Sequence, residues 1–225
     1  MKAFALKRLS LALCAATLLT GALTACVPLV VGGAFAGGTM LATDRRTSGA
    51  QLEDEGIELR ASSRIRGNVG DRAHVNLTSY NRQVLLTGEV PSAQDKQLVE
   101  QIVSRVENVN SVVNELAVSG NSSLSQRSTD VLVTGRVKAN LLDARDLQSN
   151  VFKVVTERGT TYLMGRVSQR EADRATQVVR ATPGVQKVVR IFELLSDDEL
   201  ARMSSSTSAP VRPPAPLVTD PPASN

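Results

Sequence analysis

The segment Leu85-Leu86-Thr87-Gly88-Glu89-Val90 carries an apolar strand through a glycine to the start of a predicted helix, and it recurs as Leu163-Met164-Gly165-Arg166-Val167. Around these two segments the chain repeats itself at an offset of 76 or 77 residues, from about residue 50 to residue 195. Repetition at this length predicts two tandem domains and not a solenoid. The aligned apolar pairs include Ile57 with Val133, Ala61 with Val137 and Ile65 with Leu141.

Each repeat has the predicted order helix–strand–strand–helix–strand. In the second repeat, Val133, Val137 and Leu141 recur every four residues, which places them on one face of a helix. The alternating residues on both sides of Glu157-Arg158-Gly159-Thr160 predict a β-hairpin. The first repeat has the same pattern of apolar and polar residues.

Helix caps and stops mark the second half of each repeat. Ser168 with Glu171 forms a capping box, and Ser92 opens the equivalent helix with Asp95 at the third position. Pro183-Gly184 ends the helix in the second repeat before a strand predicted at 185–192. The predicted buried faces of these helices comprise Leu98, Ile102, Val103 and Val106 in the first repeat, and Ala172, Ala175, Val178 and Val179 in the second.

The strand–glycine segments, together with Val109-Asn110-Ser111-Val112-Val113-Asn114-Glu115-Leu116 and Pro183-Gly184-Val185-Gln186-Lys187-Val188-Val189, resemble BON domains. The resemblance implies an α+β fold of two tandem αββαβ domains, each with two helices packed on one face of a three-stranded mixed sheet. We expect domain 1 at 51–119, a linker at 120–128 and domain 2 at 129–195. Gly88 and Gly165 are expected to allow a turn or a close backbone approach, with no catalytic role.

The N-terminus reads as a secretory signal peptide over residues 1–25. A short basic region precedes an apolar run that is too short to span a bilayer. The ending Leu23-Thr24-Ala25-Cys26 resembles a bacterial lipobox, which implies lipid attachment at Cys26. The alternative is an ordinary signal peptide with an incidental cysteine. Because residue 27 is Val and not Asp, the resemblance favours the outer membrane, with the body of the protein facing the periplasm.

Two flanking segments are expected to lack a packed core. Residues 26–50 form the lipidated N-terminus and a linker, in which the uncharged stretch 27–43 either lies in the lipid interface or is a flexible linker. Residues 196–225 are rich in Ser and Pro and are predicted to be a disordered tail. The tail is either inert or in contact with peptidoglycan or a partner.

Composition excludes several classes of protein. The 225 residues are 42% apolar, with a net charge of +4, no Trp, one His and two Cys. This weak charge and scarcity of aromatic residues argue against a nucleic-acid binder. We expect no metal site, no cofactor and no catalytic residue, because His74, where the first strand begins, has no evident partner in the sequence and is predicted to be a surface residue.

The two repeats differ in charge. Repeat 1 (54–119) has seven basic and nine acidic residues, a net charge of −2, whereas repeat 2 (130–195) has eleven basic and seven acidic residues, a net charge of +4. If Val133, Val137 and Leu141 face the core, a step of about 100° per residue places an apolar strip on the opposite side of the helix, with basic residues beside it. The predicted phospholipid-binding residues are Leu132, Arg136, Lys138, Ala139 and Leu142.

The corresponding helix of repeat 1 has Gly56, Ser63 and Arg66 at the positions of Leu132, Ala139 and Leu142, and these cannot insert into lipid. The alternative is that Leu132 and Leu142 pack against repeat 1 or the linker. Where the similar family has a Trp, this chain has Leu132, so insertion is expected to be shallower.

A lipobox followed by two such domains resembles the dual BON-domain outer-membrane lipoproteins. The resemblance implies a non-enzymatic protein that supports envelope integrity, gathers at the division site and binds an anionic phospholipid membrane through its second domain. The alternative is a periplasmic adaptor that binds envelope-assembly proteins or regulators of cell-wall amidases at division. A third possibility, an envelope hydrolase, is disfavoured because no catalytic motif is evident.

Overall fold

The computed structural model describes residues 44–207. These residues belong to one compact unit. The predicted signal peptide, the predicted lipid-attachment residue Cys26, the stretch 27–43 and the tail beyond residue 207 lie outside the described residues.

Both repeats have the predicted αββαβ order. Repeat 1 consists of α1 (Ser48–Val69), β1 (His74–Tyr80), β2 (Gln83–Val90), α2 (Ala93–Ser104), β3 (Ser111–Asn114) and β4 (Ala117–Val118). Repeat 2 consists of α3 (Leu124–Asp143), β5 (Phe152–Glu157), β6 (Thr160–Val167), α4 (Gln169–Arg180) and β7 (Lys187–Leu194). A further helix, α5 (Asp197–Thr207), follows.

Each repeat forms a mixed sheet, as predicted. The first two strands pair antiparallel, and the last strand pairs in parallel with the middle strand. In repeat 1 the last strand is interrupted, so that β3 and β4 both pair with β2. Strand β7 begins two residues later than predicted, because the N–H groups of Val185 and Gln186 still donate to turn carbonyls at Thr182 and Gly159.

The two helices of each repeat pack on one face of its sheet. The predicted core positions are buried in α3, and in α4 they are buried except for the half-buried Val178. In repeat 1, Val103 and Val106 are buried, Leu98 and Ile102 are half-buried, and Val99 is a buried position that the sequence pattern missed. The core of repeat 1 includes Ile57, Ala61, Ile65, Val84, Leu86, Val90, Val99 and Val103. The core of repeat 2 includes Val133, Val137, Leu141, Val154, Leu163, Val167, Ala172, Ala175 and Val179.

Capping residues set two helix boundaries that the sequence analysis placed wrongly. Helix α3 begins at Leu124, inside the predicted linker 120–128, because Ser123 and Gln126 form a capping box. Helix α5 occupies the start of the predicted disordered tail 196–225, since Ser196 accepts from the N–H of Glu199 and donates to the Glu199 carboxylate. A capping signal, Ser-x-x-Gln at α3 and Ser-x-x-Glu at α5, therefore starts a helix in a segment whose polar composition had suggested a linker or a disordered tail.

A buried aspartate on the first helix of each repeat accepts hydrogen bonds from the turn of the β-hairpin. Asp54 accepts from the backbone N–H groups of Asn81 and Arg82, both at 2.7 Å. Asp130 does the same for Arg158 at 2.8 Å and Gly159 at 3.0 Å. All four turn residues have positive φ, the conformation that a two-residue hairpin of type I′ requires. The aligned aspartates therefore fasten helix to hairpin in both repeats.

The second face of each sheet packs against the sheet of the other repeat. Middle strands β2 and β6 are apolar on both faces, so alternation turns one set of side chains toward the helices and the other toward the opposite sheet. The apolar layer between the sheets consists of Tyr80, Leu85, Tyr162, Met164 and Ile191, with Val113, Val155 and Val189 beside them. The Tyr80 hydroxyl donates to the Val151 carbonyl at 3.2 Å across this layer.

Candidate functional site

Helix α3 has the orientation that the sequence predicted. Val133, Val137 and Leu141 are buried, whereas Leu132 and Leu142 are 61% and 69% exposed. Arg136, Lys138 and Ala139 are also exposed. Most of the surface of each leucine is therefore open within the described residues, which favours the predicted outward orientation over packing against repeat 1 or the linker. The exposed apolar strip is therefore a property of the folded domain.

Two further apolar side chains extend this strip. Val131 is 71% exposed and Leu124 is 80% exposed. Residues 124, 131 and 142 lie within roughly 40° of one another around the helix at about 100° per residue. The sequence analysis missed Leu124 because it started the helix too late, although the Ser123 capping box marks the true start.

We define the outward face of α3 as Leu124, Val131, Leu132, Ala139 and Leu142. Arg136 lies on one side of this face and Lys138 on the other, by the same helical geometry. Arg127, one turn before Val131, adds a third basic side chain near the face. The arrangement is apolar at its centre and basic at its edges.

Helix α1 of repeat 1 also exposes two leucines. Leu52 is 71% exposed and Leu59 is 73% exposed. They lie near Gly56 and Ser63, the residues that align with Leu132 and Ala139 of α3. Along α1 four acidic residues stand against three basic ones, whereas α3 has two acidic and three basic residues. The acidic residues of α1 are Glu53, Asp54, Glu55 and Glu58, and the basic residues are Arg60, Arg64 and Arg66. The helices of the two repeats therefore differ in the charge beside their exposed leucines, and not in whether they expose leucine.

A groove of about 540 Å³ lies between α3, the end of β5 and the start of β1. One wall is formed by Val131, Thr134 and Lys138 of α3, so the groove borders the outward face. The opposite walls come from His74 and Asn76 of repeat 1 and from residues 154–157 of repeat 2. Both repeats are needed to form it.

Two residues that line this groove, His74 and Glu157, lie close to the fully buried Glu89, a contact that the sequence did not predict. The Nδ1 atom of His74 lies 3.1 Å from Oε2 of Glu89, its cross-strand neighbour, so the expectation that His74 lacks a partner is wrong. His74 begins β1, as predicted, and its half-buried side chain lines the groove. Glu157, from repeat 2, lies close enough that ligand atoms of all three residues fall within 4.8 Å of one another. The register of β1 on β2 brings His74 to Glu89, and only the packing of the two sheets adds Glu157.

The two carboxylates differ in their hydrogen bonding. Burial raises the pKa of Glu157, and the hydrogen bond from the Asn76 amide, at 2.6 Å, only partly offsets this effect. Burial also opposes ionisation of Glu89, but hydrogen bonds from the backbone N–H and hydroxyl of Ser122 and from His74 lower the pKa of Glu89 overall. The groove thus has one carboxyl group that favours the ionised form beside another that resists it.

Comparison with known proteins decides the family. The sequence profile of the BON domain matches residues 53–120 and 129–194. The chain belongs to the BON-domain family. It is 36% identical over 192 residues to the outer membrane lipoprotein DolP of Haemophilus influenzae, covering 84% of this chain and 97% of that protein. The resemblance to dual BON-domain outer-membrane lipoproteins is confirmed, and we class the protein as a DolP-like outer-membrane lipoprotein.

Other similarities are more distant. The BON-domain chain is 30% identical over 151 residues to a 21 kDa hemolysin of Actinobacillus pleuropneumoniae, covering 66% of this chain and 78% of that protein. A solved structure of CdsD, a structural protein of the type III secretion system of Chlamydia trachomatis, covers 68% of this chain and 96% of its own length, with 13% identity and a TM-score of 0.25. That structural likeness is too low to bear on function.

None of the helices in residues 44–207 is both long enough and apolar enough to cross a membrane.

Two neighbouring arginines connect the first described residues to the two BON domains. Arg45 donates to both carboxylate oxygens of Glu171 in BON domain 2, at 2.7 and 2.8 Å. Arg46 forms an ion pair with Asp54 in BON domain 1 at 2.8 Å and lies over the ring of Tyr80. Burial by itself would raise the pKa of Glu171, but the hydrogen bonds from Arg45 and Ser168 outweigh it and lower this pKa to about 2.

Removing the Arg45 side chain should make stability less sensitive to acid. The ordinary pKa of Glu171 is 4.5, so its ion pair contributes fully above that pH and is lost as the pH falls to about 2. We expect Arg45→Ala to lower the free energy of unfolding by about 2 kcal/mol at pH 7 and by progressively less as the pH falls through this range. Urea unfolding curves at pH 7 and in acid measure both values.

The matched control for this prediction is Arg174→Ala. Arg174 pairs with Asp146 at 2.7 Å, but both side chains are close to half exposed. Exposed pairs contribute less than about 1 kcal/mol, so a small loss is expected. A cost of Arg45→Ala that is the same in acid as at pH 7 would contradict the assignment of the ion pair.

Proposed function

We propose that this protein is anchored through acylated Cys26 in the outer membrane, faces the periplasm, and supports envelope integrity without catalysing a reaction. Its BON domain 2 binds anionic phospholipid through the outward face of α3. The observation that carries the proposal is the exposure of this apolar face between basic side chains, in the repeat with a net charge of +4.

The physical argument rests on the combination of apolar and basic groups. An interfacial helix gains stability from apolar side chains that leave water and from basic side chains that approach anionic headgroups. A buried leucine contributes roughly 1.5–3 kcal/mol, and each basic residue near an anionic surface about 1 kcal/mol. The lipid anchor would increase the occupancy of this weak phospholipid contact, because it holds BON domain 2 near the membrane at a high effective concentration.

The test is binding of the purified protein, prepared without acyl chains, to vesicles of phosphatidylglycerol and of phosphatidylcholine. We expect the wild type to sediment with phosphatidylglycerol vesicles and less with phosphatidylcholine, and the binding to weaken as salt rises. Leu132→Glu should abolish this binding with an unchanged circular dichroism spectrum, because it places a negative charge in the apolar face and next to the basic Arg136.

The chain offers a matched control on the equivalent helix of BON domain 1. Leu59→Glu makes the same change at a leucine that is at least as exposed, but on a helix whose acidic residues outnumber its basic ones. This variant should bind phosphatidylglycerol vesicles like the wild type. Equal binding by Leu132→Glu and the wild type would rule out the α3 face.

A second candidate function is supported by helix α1. Its exposed leucines, Leu52 and Leu59, with acidic neighbours, suit a basic protein surface better than an anionic membrane. In that case the protein would act as a periplasmic adaptor for envelope-assembly or cell-division proteins. The vesicle experiment separates the two functions, since an adaptor whose contacts are with proteins would show no binding to phosphatidylglycerol vesicles.

A further inference from the structure

We propose that His74, Glu89 and Glu157 form a site for a divalent transition-metal ion, with Zn²⁺ as the best fit, and that the ion ties BON domain 1 to BON domain 2. The site is separate from the outward face of α3, and its existence does not depend on phospholipid binding.

Strand geometry explains why these three residues meet. His74 and Glu89 are direct cross-strand partners on β1 and β2. Alternation along β2 places Glu89 on the same side as Leu85, which packs in the layer between the sheets. Glu157 shares its side of β5 with Val155, which packs in the same layer from the opposite sheet. The three side chains therefore converge at the edge of the interface between the domains.

The distances suit a metal ion after a small movement. Two ligands of a tetrahedral zinc ion lie roughly 3.3 Å apart, given metal–ligand bonds of about 2.0–2.1 Å. The Nδ1 of His74 lies 3.1 Å from Oε2 of Glu89, with a hydrogen bond between them, and the carboxylate of Glu157 lies within 4.8 Å of both atoms. Zinc would replace this hydrogen bond, with the proton of the neutral imidazole on Nε2, so that the Nδ1 lone pair can bind the ion. A rotation of the Glu157 side chain that releases the Asn76 amide would bring it into reach. The groove supplies room for water at the remaining position.

The charges around the cluster also favour a cation. Glu89 is 0% exposed and Glu157 is 6% exposed, so two carboxylates from different domains face each other in a buried place. Basic side chains are also close: the half-exposed Arg158 lies 3.5 Å from Glu89, and Arg127 and Lys138 line the same groove. Of these three, Arg158 is the one that pairs directly with Glu89. A divalent ion would neutralise both carboxylates, which otherwise repel each other when ionised.

The groups behind the ligands hold them in place. The backbone N–H and the hydroxyl of Ser122 both donate to Oε2 of Glu89, at 3.2 Å each. Outer hydrogen bonds of this kind orient a metal-binding carboxylate. One imidazole with two carboxylates is a donor set that suits Zn²⁺ better than Ca²⁺ or Mg²⁺, which prefer sites made of oxygen atoms alone.

The test is titration of the tag-free full chain, purified in detergent, with Zn²⁺. Cys14→Ser and Cys26→Ser are introduced so that no thiol binds the metal. We expect calorimetry to show one ion per chain, and the unfolding temperature to rise with zinc concentration. His74 is the single histidine of the chain, so its imidazole NMR signals can be followed without assignment, and they should shift on zinc addition.

Variants locate the ion. His74→Gln and Glu157→Gln should each weaken zinc binding by about tenfold or more, because each removes one of three protein ligands. The control Asp173→Asn, which changes an exposed acidic residue paired with Arg190, should bind zinc like the parent chain. Ca²⁺ and Mg²⁺ should leave the unfolding temperature of the parent chain unchanged.

Two outcomes would overturn the proposal. One is the absence of saturable binding up to about 1 mM Zn²⁺, a limit that corresponds to roughly 4 kcal/mol of binding free energy. The other is binding that leaves the imidazole signals of His74 unshifted in the parent chain, a result that needs no variant to fold. Vesicle binding is measured separately, on the detergent-free protein without acyl chains, so failure of the metal site and failure of phospholipid binding are distinguishable.

Discussion

Asp54→Ala is expected to lower the free energy of unfolding of BON domain 1 by about 4 kcal/mol. Asp54 is buried and accepts from the hydroxyl of Ser79 at 2.6 Å as well as from two N–H groups of the hairpin turn. It also holds the guanidinium of Arg46 at 2.8 Å. Alanine would leave these donors without an acceptor, and it would leave the largely buried Arg46 with Asp44 as its remaining carboxylate partner. Urea unfolding followed by circular dichroism measures the loss.

The repeat supplies the control for this prediction. Asp130→Ala removes the aligned aspartate of BON domain 2, which also accepts from two turn N–H groups. Its turn contains a glycine, whereas Asn81 and Arg82 must both hold positive φ with side chains present. We expect Asp130→Ala to cost about 2 kcal/mol. Equal losses for the two variants would contradict this prediction. They would show that neither the ion pair with Arg46 nor the glycine-free turn at Asn81 and Arg82 increases the loss of stability in Asp54→Ala.

Gly88→Ala is expected to destabilise BON domain 1 by about 4 kcal/mol or to prevent its folding. Gly88 lies inside β2 with φ +108°, a conformation that residues with a Cβ rarely adopt. A Cβ at this position would lie 2.0 Å from the backbone carbonyl oxygen of His74 on the paired strand. Because that oxygen belongs to the backbone, the clash can be relieved only if β1 and β2 separate.

Two other glycines serve as comparisons for the effect of Gly88→Ala on stability. At Gly165, the equivalent position of BON domain 2, a Cβ would lie 2.7 Å from the carbonyl oxygen of Val151, so Gly165→Ala should be damaging but less so. Gly67, exposed in the interior of α1, has open space around it, and Gly67→Ala should raise stability by up to about 1 kcal/mol. Thermal unfolding of the three variants should therefore place Gly67→Ala highest and Gly88→Ala lowest.

Local patterns predicted the fold well where chain neighbours alone set the structure. The four-residue spacing of Val133, Val137 and Leu141 gave the buried side of α3, and Ser168 with Glu171 gave the start of α4. The boundaries that were wrong, at Leu124 and at Asp197, also follow from local capping residues that were given too little weight beside a polar composition. These errors concern signals present in the sequence.

The sequence by itself determined the duplicated αββαβ architecture and the apolar outward strip of α3, because helical and strand periods depend on short-range geometry. Tertiary structure alone decided that the two sheets pack on each other, and it therefore decided that Glu157 meets His74 and Glu89, which are far from it in the chain. Helix period and strand alternation give the direction of a side chain relative to its own element. They do not give the position of that element relative to another domain, which depends on the packing of both apolar faces together.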